Sequence, residues 1–294
     1  MSHRFDQVII IYNPNSTGDG KANAMQLRDQ LRVDAPKIPV TLRETSHAGH
    51  AEEMARQYAK SSKQLLLISS SGDGGYHEMI NGILLNNATN ITAGILPSGN
   101  ANDHYTAISG SDITTNIIDG NVRNIDAIKI TSTVGGKQWT RYAHSYAGIG
   151  LTPTIGRQLT KADLNWFNER WLLVKYLFKY THATITVKGQ KKRFSSLVWS
   201  NIAQMSKVVK LAQSGKVDDG KFEISSIGYR SKLQVIALLI KSATFGLEEL
   251  GSFESYTFKT IKPLLIQLDG EIYTLDARSD VNVESVRRGI HTVL

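Results

Sequence analysis

Short, unbroken apolar runs fill the first third of the chain, and runs that alternate between apolar and polar positions fill the rest. Val8–Tyr12 and Leu65–Ile68 have the length and continuity of strands buried on both faces, and Thr92–Leu96 is a further short strand. Between them, Ala22–Val33 places Ala24, Leu27 and Leu31 on one helical face, Pro39–Arg43 reads as a strand, and Gly49–Lys60 reads as a second helix. This regular alternation predicts a parallel sheet with right-handed crossovers and helices on both faces.

From about Arg123 the period changes to two. Ile125–Ile130, Thr184–Val187, Phe222–Ile224, Tyr256–Lys259 and Val281–Val286 alternate, with turn residues at Gly135-Gly136, Gly189-Gln190 and Asp218-Asp219-Gly220. The pattern predicts antiparallel β structure, a sandwich, as a second domain, giving a division into 1–124 and 125–294. Two helices interrupt it, an aromatic-rich one over Leu164–Lys179 and an apolar one over Lys232–Phe245. Stripes of this kind usually cover a core, although either could touch a lipid surface.

The chemistry concentrates where strands end. Leu65–Ile68 runs through Ser69, Ser70 and Ser71 into Gly72-Asp73-Gly74-Gly75 and then into a helix carrying Glu78, Met79, Ile80 and Ile83. Glycines at 72, 74 and 75 tolerate positive φ and carry no Cβ, so backbone can approach a ligand closely. A strand-to-helix turn aims N–H groups at whatever lies above it, which suits phosphate. Asp73 among those amides makes sense with a divalent cation bridging it to phosphate oxygens. The other reading of the stretch is a plain tight turn with an exposed Asp.

Asn13–Lys21 follows the first strand. Its Gly20-Lys21 suggests a Walker A loop, but that motif needs Gly where Asn15 stands and Ser or Thr where Ala22 stands. A polar loop at the carboxyl end of a first parallel strand can still hold ribose or phosphate. Pro97–Asp103 closes the fourth strand with another glycine turn and another carboxylate, putting Asp73 and Asp103 on one rim of the sheet. Leu264–Tyr273 is a hairpin whose Asp269-Gly270-Glu271 tip carries two carboxylates, and phosphoryl transfer to a hydroxyl needs such a base.

Composition narrows the class. With 294 residues, 41% hydrophobic, the chain can bury a substantial core. The absence of cysteine excludes disulfides, thiolate zinc sites and a cysteine nucleophile, and it fits a reducing compartment. No N-terminal signal precedes the first strand, and no apolar run reaches the roughly 18–20 residues that cross a bilayer, so a soluble protein is expected. A net charge of +8 favours anionic partners in general. The densest basic run, Lys188–Arg193, reads as a solvated hairpin tip, and no zinc-finger spacing or basic recognition helix supports nucleic-acid binding.

Taken in order, the loop Asn13-Pro14…Gly18, the turn Ser71–Gly75, the segment Pro97–Asp103, Asp218-Asp219-Gly220 and Asp269-Gly270-Glu271 resemble the bacterial diacylglycerol kinase family of soluble lipid kinases. The resemblance implies an α/β nucleotide-binding domain with a parallel sheet, like that of NAD and diacylglycerol kinases, a C-terminal β-sandwich, and a cleft where the ATP γ-phosphoryl group passes to a lipid hydroxyl. Diacylglycerol, giving phosphatidic acid, is the substrate it implies. Nucleotide contacts would fall on Asn13, Pro14, Asn15, Ser16, Thr17, Thr45, Ser71, Gly72, Asp73, Gly74, Gly75, Tyr76, His77, Asn100 and Asp103. Asp73 would help hold Mg-ATP, with Asp103 and Asp126 in a supporting acidic network, and Asp219 with main-chain oxygens of Lys216 and Lys221 would hold a structural Mg²⁺. The proton acceptor would be Glu271, with Asp269 next in order. The last segment would pack back on the N-terminal domain, the protein would work in the cytoplasm, peripheral to the inner membrane face, and a homodimer is compatible with the resemblance.

The family's turn reads Gly-Gly-Asp-Gly-Thr, whereas this chain has Ser71 first and Gly75 last, with His77 where Asn is usual and Asn100 where Thr is usual. Two hydroxyl contacts are thereby missing, each worth on the order of 1 kcal/mol. Two other readings therefore stay open: a kinase of a soluble substrate, related to NAD kinases, and a nucleotide- or lipid-binding regulator with impaired catalysis.

Overall fold

The continuous apolar runs become parallel strands. In this computed structural model, which describes residues 4–108, 112–154, 181–205, 209–210, 215–231, 234–235 and 248–293, the first strands are β1 (Gln7–Tyr12), β2 (Val40–Glu44), β3 (Leu65–Ser71) and β4 (Ile91–Pro97). The helices between and after them are α1 (Gly20–Asp34), α2 (His50–Tyr58), α3 (Asp73–Leu84), α4 (Asp103–Ile108) and α5 (Ile113–Asp119). The expected Leu164–Lys179 helix lies outside the described residues, as does Lys232–Phe245 apart from Gln234 and Val235.

The remaining elements are strands: β5 (Arg123–Val134), β6 (Lys137–Ala143), β7 (Tyr146–Gly150), β8 (Ala183–Val187), β9 (Gln190–Ser200), β10 (Gln204–Met205), β11 (Val209–Lys210), β12 (Phe222–Gly228), β13 (Glu248–Phe253), β14 (Ser255–Thr260), β15 (Leu264–Leu268), β16 (Glu271–Leu275) and β17 (Asp280–Val293). The chain divides into two compact units. One joins Met1–Asp126 to Arg287–Leu294, and the other is Ala127–Val286.

In the first unit the strand order is β17-β4-β3-β1-β2, and every pair is parallel. Ile10 sits opposite Leu42 and Ile68, and Ile68 opposite Gly94. Val8, Ile10, Leu66 and Ile68 share a core with Ala24, Leu27 and Leu31 of α1 and with Ile117 of α5. Ile9, Ile11, Leu65 and Leu67 project from the opposite face and are buried as well. Burial on both sides is why these strands show no alternation. Helices α2 and α3 pack closely because Gly82 has no side chain: a Cβ there would lie 2.5 Å from the Glu52 carbonyl oxygen and 2.7 Å from Ala55 Cβ. From β1 the chain moves to β2 on one side and then to β3 on the other. The order therefore reverses between β1 and β3, and ligands of open α/β sheets bind above the carboxyl ends of strands at such a point.

The second unit is antiparallel and strand-rich. β9 pairs with β8 along its first half and with both β7 and β12 along its second. One hydrophobic core gathers Ile128, Ile149, Leu197, Trp199, Phe222, Phe258, Ile266 and Val283, with the Trp199 ring stacked on Phe258 at 5.7 Å. The predicted hairpins form. Gly135-Gly136 joins β5 to β6, Lys188-Gly189 joins β8 to β9 one residue earlier than the expected Gly189-Gln190 because Gln190 already pairs with Val187, and Asp269-Gly270 joins β15 to β16, all with positive φ at both turn positions. One strand departs from expectation. β12 is buried on both faces from Phe222 to Ile227, so Glu223 lies inside rather than on the solvent side of an alternating strand.

Candidate active site

Four loops leave the carboxyl ends of β1 to β4, and hydrogen bonds tie them to one another. After β1, the Asn13 side-chain oxygen accepts the Asn15 N–H at 2.9 Å, and the Ser16 N–H donates to the Asn13 carbonyl at 3.1 Å. The Gly18 N–H reaches the Ser98 carbonyl at 3.0 Å, the Ser16 hydroxyl donates to the same carbonyl, and the Ser98 N–H donates to the Ser71 carbonyl at 3.1 Å. Ser98 thus joins the loops after β1, β3 and β4. After β2, the Thr45 N–H donates to the Tyr12 carbonyl at 2.9 Å. The Tyr12 hydroxyl donates to Glu44 at 2.8 Å, and that hydrogen bond holds the phenol above its usual range.

At the Gly72 turn, the reason for glycine differs from the one expected. Gly72 has φ −79°, and Gly74 and Gly75 lie within α3, so none of the three uses the left-handed region. What they supply is closeness. A Cβ on Gly99 would stand 2.4 Å from Gly72 Cα, so the turns after β3 and β4 meet backbone to backbone. A Cβ on Gly75 would fall 2.2 Å from the Ser71 hydroxyl oxygen. The Ser71 hydroxyl also lies 2.7 Å from that of Ser69 and donates to the Gly72 carbonyl at 3.1 Å. Ser71 therefore fills the space that a side chain at position 75 would need. Gly72 brings no side chain to cap α3, whose first N–H groups meet the rim of the sheet as a phosphate site requires.

Asp73 opens α3, and its two oxygens accept the N–H groups of Asp103 and His104, each at 3.2 Å. The structure thereby joins Asp73 to Asp103 on one rim, through the backbone of α4. Glu78, one turn further along α3, performs the same service for α2 by accepting the N–H groups of Gly49 at 2.7 Å and Ala51 at 3.2 Å. Asn13–Thr17, Thr45, Gly72 and Asn100 all belong to this rim and retain solvent exposure. Tyr76 and His77 differ from them: their side chains are buried, with Tyr76 stacked on His104 at 5.0 Å. Asp126 is buried on β5 and accepts at 2.6 Å the N–H of Arg288, which has positive φ within β17.

The second unit holds the other predicted residues. Asp269 is buried, and its carboxylate accepts the N–H groups of His144, Ser145 and Tyr146 at 2.8 to 3.0 Å, with the His144 ring at 3.4 Å. This carboxylate pins the β15–β16 turn to the start of β7. Glu271, two residues on, is exposed at the first position of β16. Asp219 is exposed in the turn before β12 and accepts the Lys221 N–H at 3.0 Å, next to Gly220 at φ 82°.

Sequence reasoning passed over Glu223. It is fully buried, its Oε1 accepts the Ser252 hydroxyl at 3.2 Å, and its Oε2 has no partner among the described residues. Burial, and then the Asp219 carboxylate, push its pKa up, against a lowering by the Ser252 hydroxyl. Glu223 is thus a second carboxyl group within electrostatic reach of Asp219. The only sequence signal was a Glu within a strand that reads as alternating.

Residues 7–130 match the family described as the diacylglycerol kinase catalytic domain. The fold is that of a diacylglycerol kinase from Bacillus anthracis strain Sterne, with a TM-score of 0.72 and 19% identity over 100% of this chain and 98% of that one. It is also similar to yeast NADH kinase complexed with NADH, with a TM-score of 0.54 and 11% identity over 98% of this chain and 83% of that one. No curated protein matches the sequence.

Proposed function

We propose that this chain, which over residues 7–130 carries the diacylglycerol kinase catalytic domain and is a kinase of the diacylglycerol and NAD kinase-like group, transfers the γ-phosphoryl group of Mg-ATP to a lipid hydroxyl. Diacylglycerol is the substrate we assign first, with phosphatidic acid as the product. The observation that carries the reading is the rim of the first unit: at the β1/β3 reversal point, the loops at 13–18, 72–75 and 98–103 are locked together around an α3 N-terminus that bears Asp73.

In this reading the ATP phosphates lie over Gly72–Gly75, and the β1 loop and Thr45 position the remainder of the nucleotide. A divalent cation would neutralise charge on the β- and γ-phosphate oxygens. Asp73 orients that end of the site and keeps α4 in place. Glu271 is the proton acceptor for the lipid hydroxyl, because it is exposed while the Asp269 oxygens are taken up by three backbone donors. Asp219 and the main chain at Lys216 and Lys221 would hold a structural Mg²⁺. No helix among the described residues is long and apolar enough to cross a membrane, and we place the protein in the cytoplasm, meeting lipid as a peripheral visitor.

The test is incubation with labelled ATP, Mg²⁺ and a panel of detergent-dispersed lipids alongside NAD. Labelled phosphatidic acid that disappears in Glu271→Gln, with the melting curve kept, supports the reading. Label on NAD alone would favour the soluble-substrate kinase instead, the reading that the fold of yeast NADH kinase motivates. Stabilisation by ATP with no labelled product would favour the regulator.

A further inference from the structure

The run Lys188–Arg193 does more than close a hairpin. Only Lys188 and Gly189 form the turn, and Lys191, Lys192 and Arg193 belong to β9, paired with Thr186, Ile185 and Thr184. With Lys262 and His182 they line a cleft of about 850 Å³, whose other wall is Ile261, Pro263, Leu264 and Leu265. Among the described residues, none of the four long cations has a carboxylate partner and no carboxylate lines the cleft. Arg193 is held at one side with its guanidinium 4.2 Å from the centre of the Tyr229 ring. Like charges gathered in a concave place focus potential, and an anion relieves their mutual repulsion.

The cleft is also well away from the hairpin tip that bears Glu271. Leu264 begins β15 at the cleft and Asp269 follows its other end, so the two are separated by about 17 Å of extended strand. We propose that this cleft binds an anionic phospholipid: the phosphate of the headgroup meets Lys191, Lys192, Arg193 and Lys262, and the first part of the acyl region meets Ile261–Leu265, where Leu265 is 38% exposed. The site holds a lipid that is not consumed, and it anchors the second unit to an anionic bilayer. It does not depend on which hydroxyl the protein phosphorylates.

Sedimentation with vesicles tests this on the full chain. Wild-type protein is expected to bind vesicles of phosphatidylglycerol and phosphatidylcholine and to leave pure phosphatidylcholine in the supernatant. Each of Lys192→Gln and Lys262→Gln weakens binding about fivefold, and the triple variant with Lys191→Gln weakens it by tenfold or more. Raising salt from 0.1 to 0.5 M removes most of the wild-type binding and little of what remains in the triple variant. Because these positions are exposed, the variants keep the wild-type melting temperature, which circular dichroism checks. Equal binding by wild type and triple variant overturns the proposal. So does release of the wild type by millimolar inorganic phosphate, which would give the cleft to a soluble anion. If vesicle binding follows the cleft charges while no lipid is phosphorylated, this inference stands and the kinase reading falls.

Discussion

The Ser71 hydroxyl occupies the place that a side chain at position 75 would need, which makes these two residues a single unit of packing. Gly75→Thr alone overpacks the start of α3 and should cost roughly 1–3 kcal/mol, whereas Ser71→Gly with Gly75→Thr should recover most of that loss. Chemical denaturation of the two single variants and the double variant measures it, with a coupling of 1 kcal/mol or more expected. Independent, additive effects would show that the exchange is not compensating. Glu223 gives a prediction with a sign. Its native pKa is raised above the unfolded value of about 4.3, so its stabilising contribution is complete below that pH and is lost as pH rises through the native pKa. Glu223→Gln cannot ionise, so in chelator its melting temperature should gain on wild type between pH 4 and pH 7.5. A constant difference across that range would mean that the carboxyl is not held in its neutral form.

At the scale of elements, the rim depends on two turns whose backbones touch. Gly99→Ala would drive a methyl group into Gly72 Cα, at an expected cost of about 1–3 kcal/mol, and under the proposed reading it should abolish the thermal stabilisation expected from Mg-ATP. An equal loss of stability with nucleotide stabilisation intact would separate the turn contact from the ligand. Both turns were legible in the sequence because glycine between an apolar run and a helical run leaves few alternatives. The parallel strands were legible for a related reason, since a strand covered on both sides cannot alternate. Position 223 was not, because a charged residue in a short apolar run looks the same whether its face is wet or buried. Which carboxylate of the β15–β16 turn is the better candidate base was also ambiguous. Asp269 and Glu271 are one glycine apart, and the three backbone donors that occupy Asp269 come from residues 144–146, far away in the sequence.

At the scale of the whole molecule, β17 is the element that sequence pattern described least completely. Alternation marked only Val281–Val286, but the strand continues past the positive-φ Arg288 to Val293, where it pairs in parallel with Ala93 and Gly94. Its polar stretch at Glu284, Arg287 and Arg288 hides the continuation, and its partner strand lies almost 200 residues earlier. Removing Arg287–Leu294 would take from the first unit an outer strand, the donor to Asp126 and the buried Val293, whose side chain alone is worth about 1.5–3 kcal/mol. The fragment Met1–Asp126 should therefore lack a cooperative melt, and the same fragment with residues 286–294 attached through a flexible linker should regain one. A cooperative melt from the shorter fragment would show that the parallel sheet is complete without β17.

The return of β17 also sets the order in which the protein can be made. During synthesis β1 to β4 emerge well before residues 287–293, which add the remaining strand of their sheet. Until then the Ile91–Pro97 edge stays open while the residues of the antiparallel unit are being made. A chain broken before residue 287 therefore lacks the strand that covers this edge, and its parallel sheet stays unfinished.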